Sequence, residues 1–413
     1  MQSLLDTFLR RFIVAGRLTV RWPDGRSTTY AGAPGPNASM VLLDAATVRR
    51  LVLNPALAVG EAYMDGTLQP LDCSLYELLD VLVTNQMRNV SGIPTLGLRY
   101  MIARMTRRLA QFNPASRSRR NVAHHYDLNG RLYSLFLDRD RQYSCAYFPR
   151  GDETLEEAQT AKKRHIAAKL FLNRPDLEVL DIGCGWGGMA LTLARDYGAR
   201  VTGITLSTEQ LAEATARAAA EGLSDRVKFE LLDYRALNHK FDRIVSVGMF
   251  EHVGMVHFDN FFDVVKRNLA PDGVALIHAI GRFSPPDATS AWVTKYIFPG
   301  GYCPSLSEVF PAIEQSGLFT TDAEILRLHY AETILHWRRR FAANRDAITT
   351  IYDERFCRMF EFYLASSELS FRCDSLMIFQ IQLANSQTAV PLTRDYIHAA
   401  ERVAARVTAG AAE

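Results

Sequence analysis

Residues 179–188, Val179-Leu180-Asp181-Ile182-Gly183-Cys184-Gly185-Trp186-Gly187-Gly188, run from a short apolar stretch into a turn with four glycines in six positions. Apolar residues around a single acid suit a strand covered on both faces. Glycine lets backbone amides approach a ligand and lets a helix start tightly against the strand before it. The rhythm recurs downstream. Short apolar runs at 200–205, 227–233, 242–249 and 274–280 follow the first at 178–183, and helical patterns near 187–197, 207–221 and 258–269 separate them. Strands alternating with helices imply right-handed crossovers and an α/β fold with a doubly wound, mainly parallel sheet. Ligands are then expected at the carboxyl ends of its strands.

Gly183, Gly185 and Gly188 formally satisfy a dinucleotide fingerprint, so a nicotinamide enzyme has to be weighed. Two features oppose it: Asp181 precedes the first glycine, and Gly187 completes a Gly-x-Gly-x-Gly pattern. That arrangement resembles the S-adenosylmethionine loop of class I methyltransferases. The second strand ends Gly203-Ile204-Thr205-Leu206-Ser207, with no acid to grip ribose hydroxyls. Thr205, Ser207 and Gln210 offer neutral hydrogen bonds instead, and Asp233-Tyr234-Arg235 is placed to bracket an adenine.

The chain has 413 residues, 48% hydrophobic and 22% charged, with 47 basic against 45 acidic side chains. This is the composition of a globular protein of about two domains; it excludes disorder, collagen and coiled coil. Six cysteines without CxxC spacing indicate neither a disulfide framework nor a structural zinc site, and fit a reducing cytoplasm. His124-His125, His252 and His257 lack metal-ligand spacing, so no metal is expected. No apolar run approaches a membrane span, and Asp6, Arg10 and Arg11 interrupt the region a signal peptide would need. The near-neutral total hides an asymmetry: residues 1–120 hold fifteen arginines, no lysine and eight acids, a net +7. Seven of these arginines, from Arg99 to Arg120, interleave with apolar residues and suit peripheral contact with an anionic membrane, or a solvated helix face. No nucleic-acid-binding module is recognisable.

Toward the N-terminus, Leu4, Leu5, Phe8, Leu9, Phe12 and Ile13 mark one face of an amphipathic helix. A hairpin is expected around Pro23-Asp24-Gly25, then a Gly/Pro/Ala-rich loop at 32–38, in a small α+β unit ending near residue 85.

Further strings extend the likeness: His124-His125-Tyr126-Asp127, Gln142-Tyr143-Ser144-Cys145-Ala146-Tyr147, 241–254 around Met249-Phe250-Glu251-His252, His278-Ala279-Ile280-Gly281 and Tyr296-Ile297-Phe298-Pro299-Gly300-Gly301. With the glycine loop they make the chain closely similar, over about residues 120–385, to the cyclopropane-fatty-acyl-phospholipid synthases and the related mycolic acid cyclopropane synthases. Residues 1–110 resemble the smaller N-terminal domain of the phospholipid-acting members. The resemblance implies an N-terminal lipid-associating domain over 1–110, a catalytic domain over 111–390 and a tail over 391–413. It implies methyl transfer from S-adenosylmethionine to a cis double bond of an unsaturated phospholipid acyl chain, and ring closure after a bound bicarbonate takes a proton. By match to the motifs, Cys145, Glu251, His278, the backbone at Ile280, and Tyr330 would hold that ion. Tyr143, Ser144, Asp181, Gly183, Gly185, Gly187, Thr205, Ser207, Gln210, Asp233, Tyr234 and Arg235 would hold the cofactor. A homodimer and a cytoplasmic, peripherally membrane-associated protein are implied as well.

A cationic intermediate requires walls that exclude water, for which Phe148, Trp186, Tyr296, Phe298 and Tyr302 are candidates. Because a carboxylate repels an anion, Glu251 is expected to act through a shared proton or through His278. A methyltransferase giving branched or methylated unsaturated chains, and a noncatalytic lipid-binding protein, are the competing readings.

Overall fold

The computed structural model describes residues 1–89 and 130–410. The Arg99–Arg120 stretch and His124-His125-Tyr126-Asp127 lie outside the described residues. Two compact units emerge. The first comprises the described part of Met1–Arg107 with Asp287–Pro299 and Ala331–Leu376; the second comprises the remainder.

In the first unit, four strands form a sheet in the order β2-β1-β3-β4. Strands β1 (Ala15–Arg21) and β2 (Ser27–Ala31) are the expected antiparallel hairpin. The expected loop at 32–38 is instead most of β3 (Ala33–Leu42), which pairs parallel to β1. Strand β4 (Leu68–Pro70) covers only Met40 to Leu42 of β3. Pro34 and Pro36 therefore sit where β3 has one neighbour, the edge position in which a strand tolerates a missing N–H.

Helix Gln2–Phe12 buries Leu5 and Leu9 against this sheet's core, leaving Leu4 exposed. The unit also recruits distant sequence. Helix Glu354–Arg372 packs on Pro55–Met64, where the Tyr63 hydroxyl donates to Glu361 at 2.9 Å and Phe362 lies 4.6 Å from the Trp292 ring. Residues 287–299 and 331–376 are thus cohesive with the N-terminal sheet, so a cut at residue 110 does not describe the compact units.

The second unit is built on a seven-stranded sheet in the order β10-β11-β9-β8-β5-β6-β7. Its strands are β5 (Glu178–Ile182), β6 (Arg200–Thr205), β7 (Val227–Leu231), β8 (Phe241–Val247), β9 (Leu269–Arg282), β10 (Phe319–Leu326) and β11 (Leu376–Ala384). Pairs β5–β6, β6–β7, β5–β8 and β8–β9 are parallel, and β10–β11 is antiparallel. The expected doubly wound sheet is present, with an antiparallel pair added at one edge.

Alternate residues of β5 feed two cores. Leu180 and Ile182 join the cluster containing Phe250 and Phe261, while Val179 joins that of Leu191 and Val201. Residues 391–413, expected as a tail, hold a helix, Asp395–Gly410, whose Ile397 is buried and whose Tyr396 meets Phe171 edge-on at 5.2 Å. No helix among the described residues is long and apolar enough to cross a membrane.

A test of the first unit follows from Gly60, inside helix Pro55–Met64. A Cβ there would lie 2.3 Å from the Trp292 Nε1. Exchanging Gly for Ala in a helix ordinarily gains about 1 kcal/mol, but forcing a methyl into a packed ring costs roughly 1–3 kcal/mol. Gly60→Ala is therefore expected to lower, not raise, the urea midpoint; a raised midpoint would show that the Trp292 ring yields freely.

Candidate active site

Strand β5 ends at Ile182, and the chain then turns through Gly183 (φ +82°), Gly185 (φ +55°) and Gly187 (φ +83°) into helix Gly188–Tyr197. The Gly183 and Cys184 amides both donate to the Ile204 carbonyl at 3.0 Å, tying the turn to β6. A Cβ on Gly183 would meet Met249 at 2.9 Å. Gly185 has nothing within 4 Å of that position, which opens into a cavity.

That cavity, with about 1170 Å³ of empty space including its mouth, lies across the carboxyl ends of β5, β6 and β8. Of the expected cofactor residues, Tyr143, Ser144, Asp181, Gly183, Gly185, Thr205, Gln210, Asp233, Tyr234 and Arg235 line it. Two do not. Gly187 faces the Phe229 ring, 2.7 Å from where its Cβ would be, so its role is packing of the turn on β7. Ser207 caps helix Thr208–Ala220, its hydroxyl accepting from the Gln210 amide at 3.3 Å. Trp186, expected as an acyl-chain wall, lines this cavity as well, with the Arg141 guanidinium 5.6 Å over its ring.

The cavity's polar groups are ordered by each other. The Thr205 hydroxyl donates to Gln210 Oε1 at 2.9 Å, and Arg235 grips Asp233 at 2.6 and 2.8 Å. Asp181 is 2% exposed, its Oδ2 has no partner, and burial lifts its carboxyl to about 7 despite the opposing field of Lys162.

Lys162, which the sequence reading did not single out, is fully buried. Its ammonium donates to Gln142 Oε1 at 2.6 Å and Ser144 Oγ at 2.9 Å, while desolvation pulls it down to about 8. Asp140, paired with Lys163 at 2.6 Å and with Arg217, anchors the same turn. His252, weighed from the sequence only as a metal ligand, lines the cavity, and burial drops its imidazole to about 4.

A second polar cluster stands where β8 and β9 end. Glu251 sits in the turn Phe250–His252, fixed by Phe250, whose ring stacks on Phe258 at 4.5 Å and meets Phe261 at 5.1 Å. The turn is held to the sheet by the Gly248 amide donating to the His278 carbonyl at 2.8 Å and the Tyr302 amide donating to the Glu251 carbonyl at 2.9 Å. Glu251 Oε1 accepts from the Ile280 amide at 2.6 Å, and its Oε2 has no hydrogen-bond partner.

His278 is 1% exposed; its Nδ1 meets Gln380 Nε2 at 3.0 Å and its Nε2 has no partner. Burial raises Glu251 to about 7 and, with nearby Lys162, Lys169 and His165, drives His278 well below its ordinary value. Glu251 and His278 thus share no hydrogen bond, in contrast to the direct link between them that the sequence reading allowed. Cys145 is buried, its thiol 3.2 Å from the Ala146 carbonyl, and Tyr330 is buried at the start of helix His329–Ala343. Cys303 is close enough to Glu251 to feel its charge, and burial pushes its thiol up to about 12.

Of the remaining wall candidates, Phe148 is buried and its amide donates to His329 at 3.0 Å. Tyr302 packs in the core with its hydroxyl on Glu308, and Tyr296 and Phe298 belong to the first unit. Among the described residues no group of three or more His, Cys, Asp or Glu is placed to hold a metal ion.

The profile of the mycolic acid cyclopropane synthetase family matches residues 114–381, and a domain family of unknown function matches residues 4–91. The chain is 40% identical over 337 residues to the cyclopropane-fatty-acyl-phospholipid synthase of Escherichia coli K12, across 81% of this chain and 84% of that protein. It is 34% identical over 394 residues to a tuberculostearic acid methyltransferase of Mycobacterium tuberculosis, across 92% and 90% of the two chains. A solved mycolic acid cyclopropane synthase complexed with SAH and CTAB aligns with a TM-score of 0.61 at 32% identity, covering 66% of this chain and 99% of that one.

The Glu251 environment makes a stability prediction. A carboxyl raised from 4.5 to about 7 by burial disfavours folding once it ionises. Its penalty is absent below the unfolded value, grows as pH rises, and is complete above the folded value. Glu251→Gln keeps the acceptor for the Ile280 amide and removes the charge. It is expected to stabilise the protein by on the order of 1–3 kcal/mol near pH 8.5 and by little near pH 5, measured by urea unfolding at both values. Asp181 titrates in both proteins and cancels.

Proposed function

The chain belongs to the mycolic acid cyclopropane synthetase family, and we propose that it forms cyclopropane rings on unsaturated phospholipid acyl chains with S-adenosylmethionine as the one-carbon donor. The observation that carries this reading is a buried acid and a buried imidazole, each with one orphaned atom, at the same strand ends as the glycine-lined cavity. An orphaned buried polar atom is costly unless a ligand meets it.

S-adenosylmethionine, when bound, supplies the methyl group. The residues suit it: Gly183 and Gly185 leave backbone exposed, Asp181 Oδ2 offers a free acceptor, and Thr205, Gln210, Asp233 and Arg235 form a preset polar rim. Gln142 and Ser144, on either side of Tyr143, are held by the buried Lys162. These groups orient the donor and keep water from the reacting carbon.

Bicarbonate, when bound, supplies a base for the proton lost at ring closure. The donor set fits a small anion: His278 is neutral with one nitrogen unpaired, and Glu251 at about 7 is substantially protonated near neutrality, so its Oε2 can donate rather than repel. Cys145 and Tyr330 are the further residues we assign to that ion. The Ile280 amide is engaged by Glu251, so it serves an anion only after the carboxyl releases it.

Purified protein with S-adenosylmethionine and unsaturated phospholipid vesicles is expected to yield upfield ring protons with loss of vinyl signal by NMR. A new methyl with an alkene retained would instead favour methylation without ring closure, the reading that the likeness to the tuberculostearic acid methyltransferase supports; no change would leave a lipid-binding protein. Glu251→Gln is expected to leave cofactor binding by calorimetry nearly intact while turnover falls at least a hundredfold, and near-normal turnover would remove Glu251 from the site.

We further propose that the Arg99–Arg120 stretch supports peripheral contact with anionic membrane. Reversing charges there is expected to weaken co-sedimentation with anionic vesicles and flatten its salt dependence. Unchanged binding would reduce that stretch to a solvated face.

A further inference from the structure

Behind His278 lies a run of buried polar side chains that the family motifs do not include. Gln380, on β11, is 0% exposed, and so is Lys169, at the end of helix Leu155–Lys169. The Lys169 ammonium donates to Gln380 Oε1 at 2.8 Å and to Glu324 Oε2, on β10. Glu324 also meets His165 Nε2 at 2.6 Å, and His165 Nδ1 meets Glu401 at 2.6 Å. The far end of the run therefore reaches helix Asp395–Gly410.

The chemistry of these groups dictates one proton arrangement. An ammonium can only donate, so the Gln380 atom facing Lys169 must be its oxygen. The Gln380 atom facing His278 Nδ1 is then the NH2 group, which can only donate. His278 Nδ1 must accept, so it carries no hydrogen, and in the neutral ring the hydrogen resides on Nε2. The charged groups around the ring favour neutrality: Lys162, Lys169 and His165 on helix Leu155–Lys169 are cations or become so, and Glu324 is spent on Lys169 and His165.

We propose that Gln380, locked by Lys169 and Glu324, is a positioning residue that holds His278 in the Nε2–H tautomer. His278 then presents a fixed hydrogen-bond donor at the orphaned position and does not take up a proton during the reaction. This deepens the reading of His278 as a ligand of a catalytic anion and rests on it for its consequence. The tautomer itself is a property of the resting protein.

The test is a long-range proton–nitrogen NMR spectrum of full-length protein labelled with 15N-histidine, with the His278 signals identified by their loss in His278→Gln. The wild type is expected to show a protonated Nε2 and a bare Nδ1 from pH 6 to 9. A protonated Nδ1, or an imidazolium in that range, would overturn the proposal, and the variant serves only to assign the signal.

Gln380→Glu places an acceptor opposite Nδ1. It is expected to move a proton there and to lower kcat ten- to a hundredfold with KM for S-adenosylmethionine within about twofold. A merely structural role would lower stability while leaving the tautomer unchanged, which would also overturn it. If the wild type shows the Nε2–H form but makes no cyclopropane, the functional reading fails and the positioning stands.

Discussion

Strand β5 is hydrogen-bonded to a parallel neighbour on each side, β6 and β8, and covered on both faces. With no water to satisfy its backbone, its only exit is at its end, and the chain must reverse there within a few residues. The positive φ angles at Gly183, Gly185 and Gly187 make that reversal, and the bond of two consecutive amides to the Ile204 carbonyl keeps it in place. The cavity, Asp181 and the walls from β6 and β8 follow from this one constraint. So does the Glu251 turn, since β8 is the strand beside β5 and ends level with it.

Around this frame the unit buries ionisable groups that would ordinarily face water. Asp181 and Glu251 are lifted, and Lys162 and His278 lowered, with burial the largest cause in each. Desolvation of this kind destabilises the fold and is tolerated where fixed partners compensate or where a ligand will. Lys162 and Lys169 have such partners; Asp181 Oδ2, Glu251 Oε2 and His278 Nε2 do not. The unpartnered atoms point to where chemistry is expected, and the partnered lysines hold the surrounding elements rigid. The stabilising and reactive parts of one polar cluster are thereby divided between different side chains.

The sheet and the glycine turn were legible because their signals are local. Alternation of apolar runs with helical periods needs only neighbours in sequence, and glycine's tolerance of positive φ is intrinsic to the residue. Pro34 and Pro36 misled for the opposite reason: proline reads as loop unless the strand has a free edge, which depends on how far β4 extends. Ser207 and Gly187 carried the right composition for a ligand site, but a helix cap and the Phe229 ring claimed them. Lys162 and Lys169 lie in helix Leu155–Lys169, and no local signal marks a lysine that other elements will cover.

Sequence by itself determined the alternating strands and helices from 178 to 280, the position of the glycine turn and the candidate acid and imidazole, since each follows from short-range periodicity, residue chemistry or a contiguous motif. Tertiary structure decided which polar atoms remain without partners, which carboxyls are lifted, and that Gln380 and Lys169, 102 and 109 residues from His278 in opposite directions, set its tautomer. Desolvation and hydrogen-bond satisfaction depend on what packs against a group from distant parts of the chain. That information exists only once the sheet has closed over its helices.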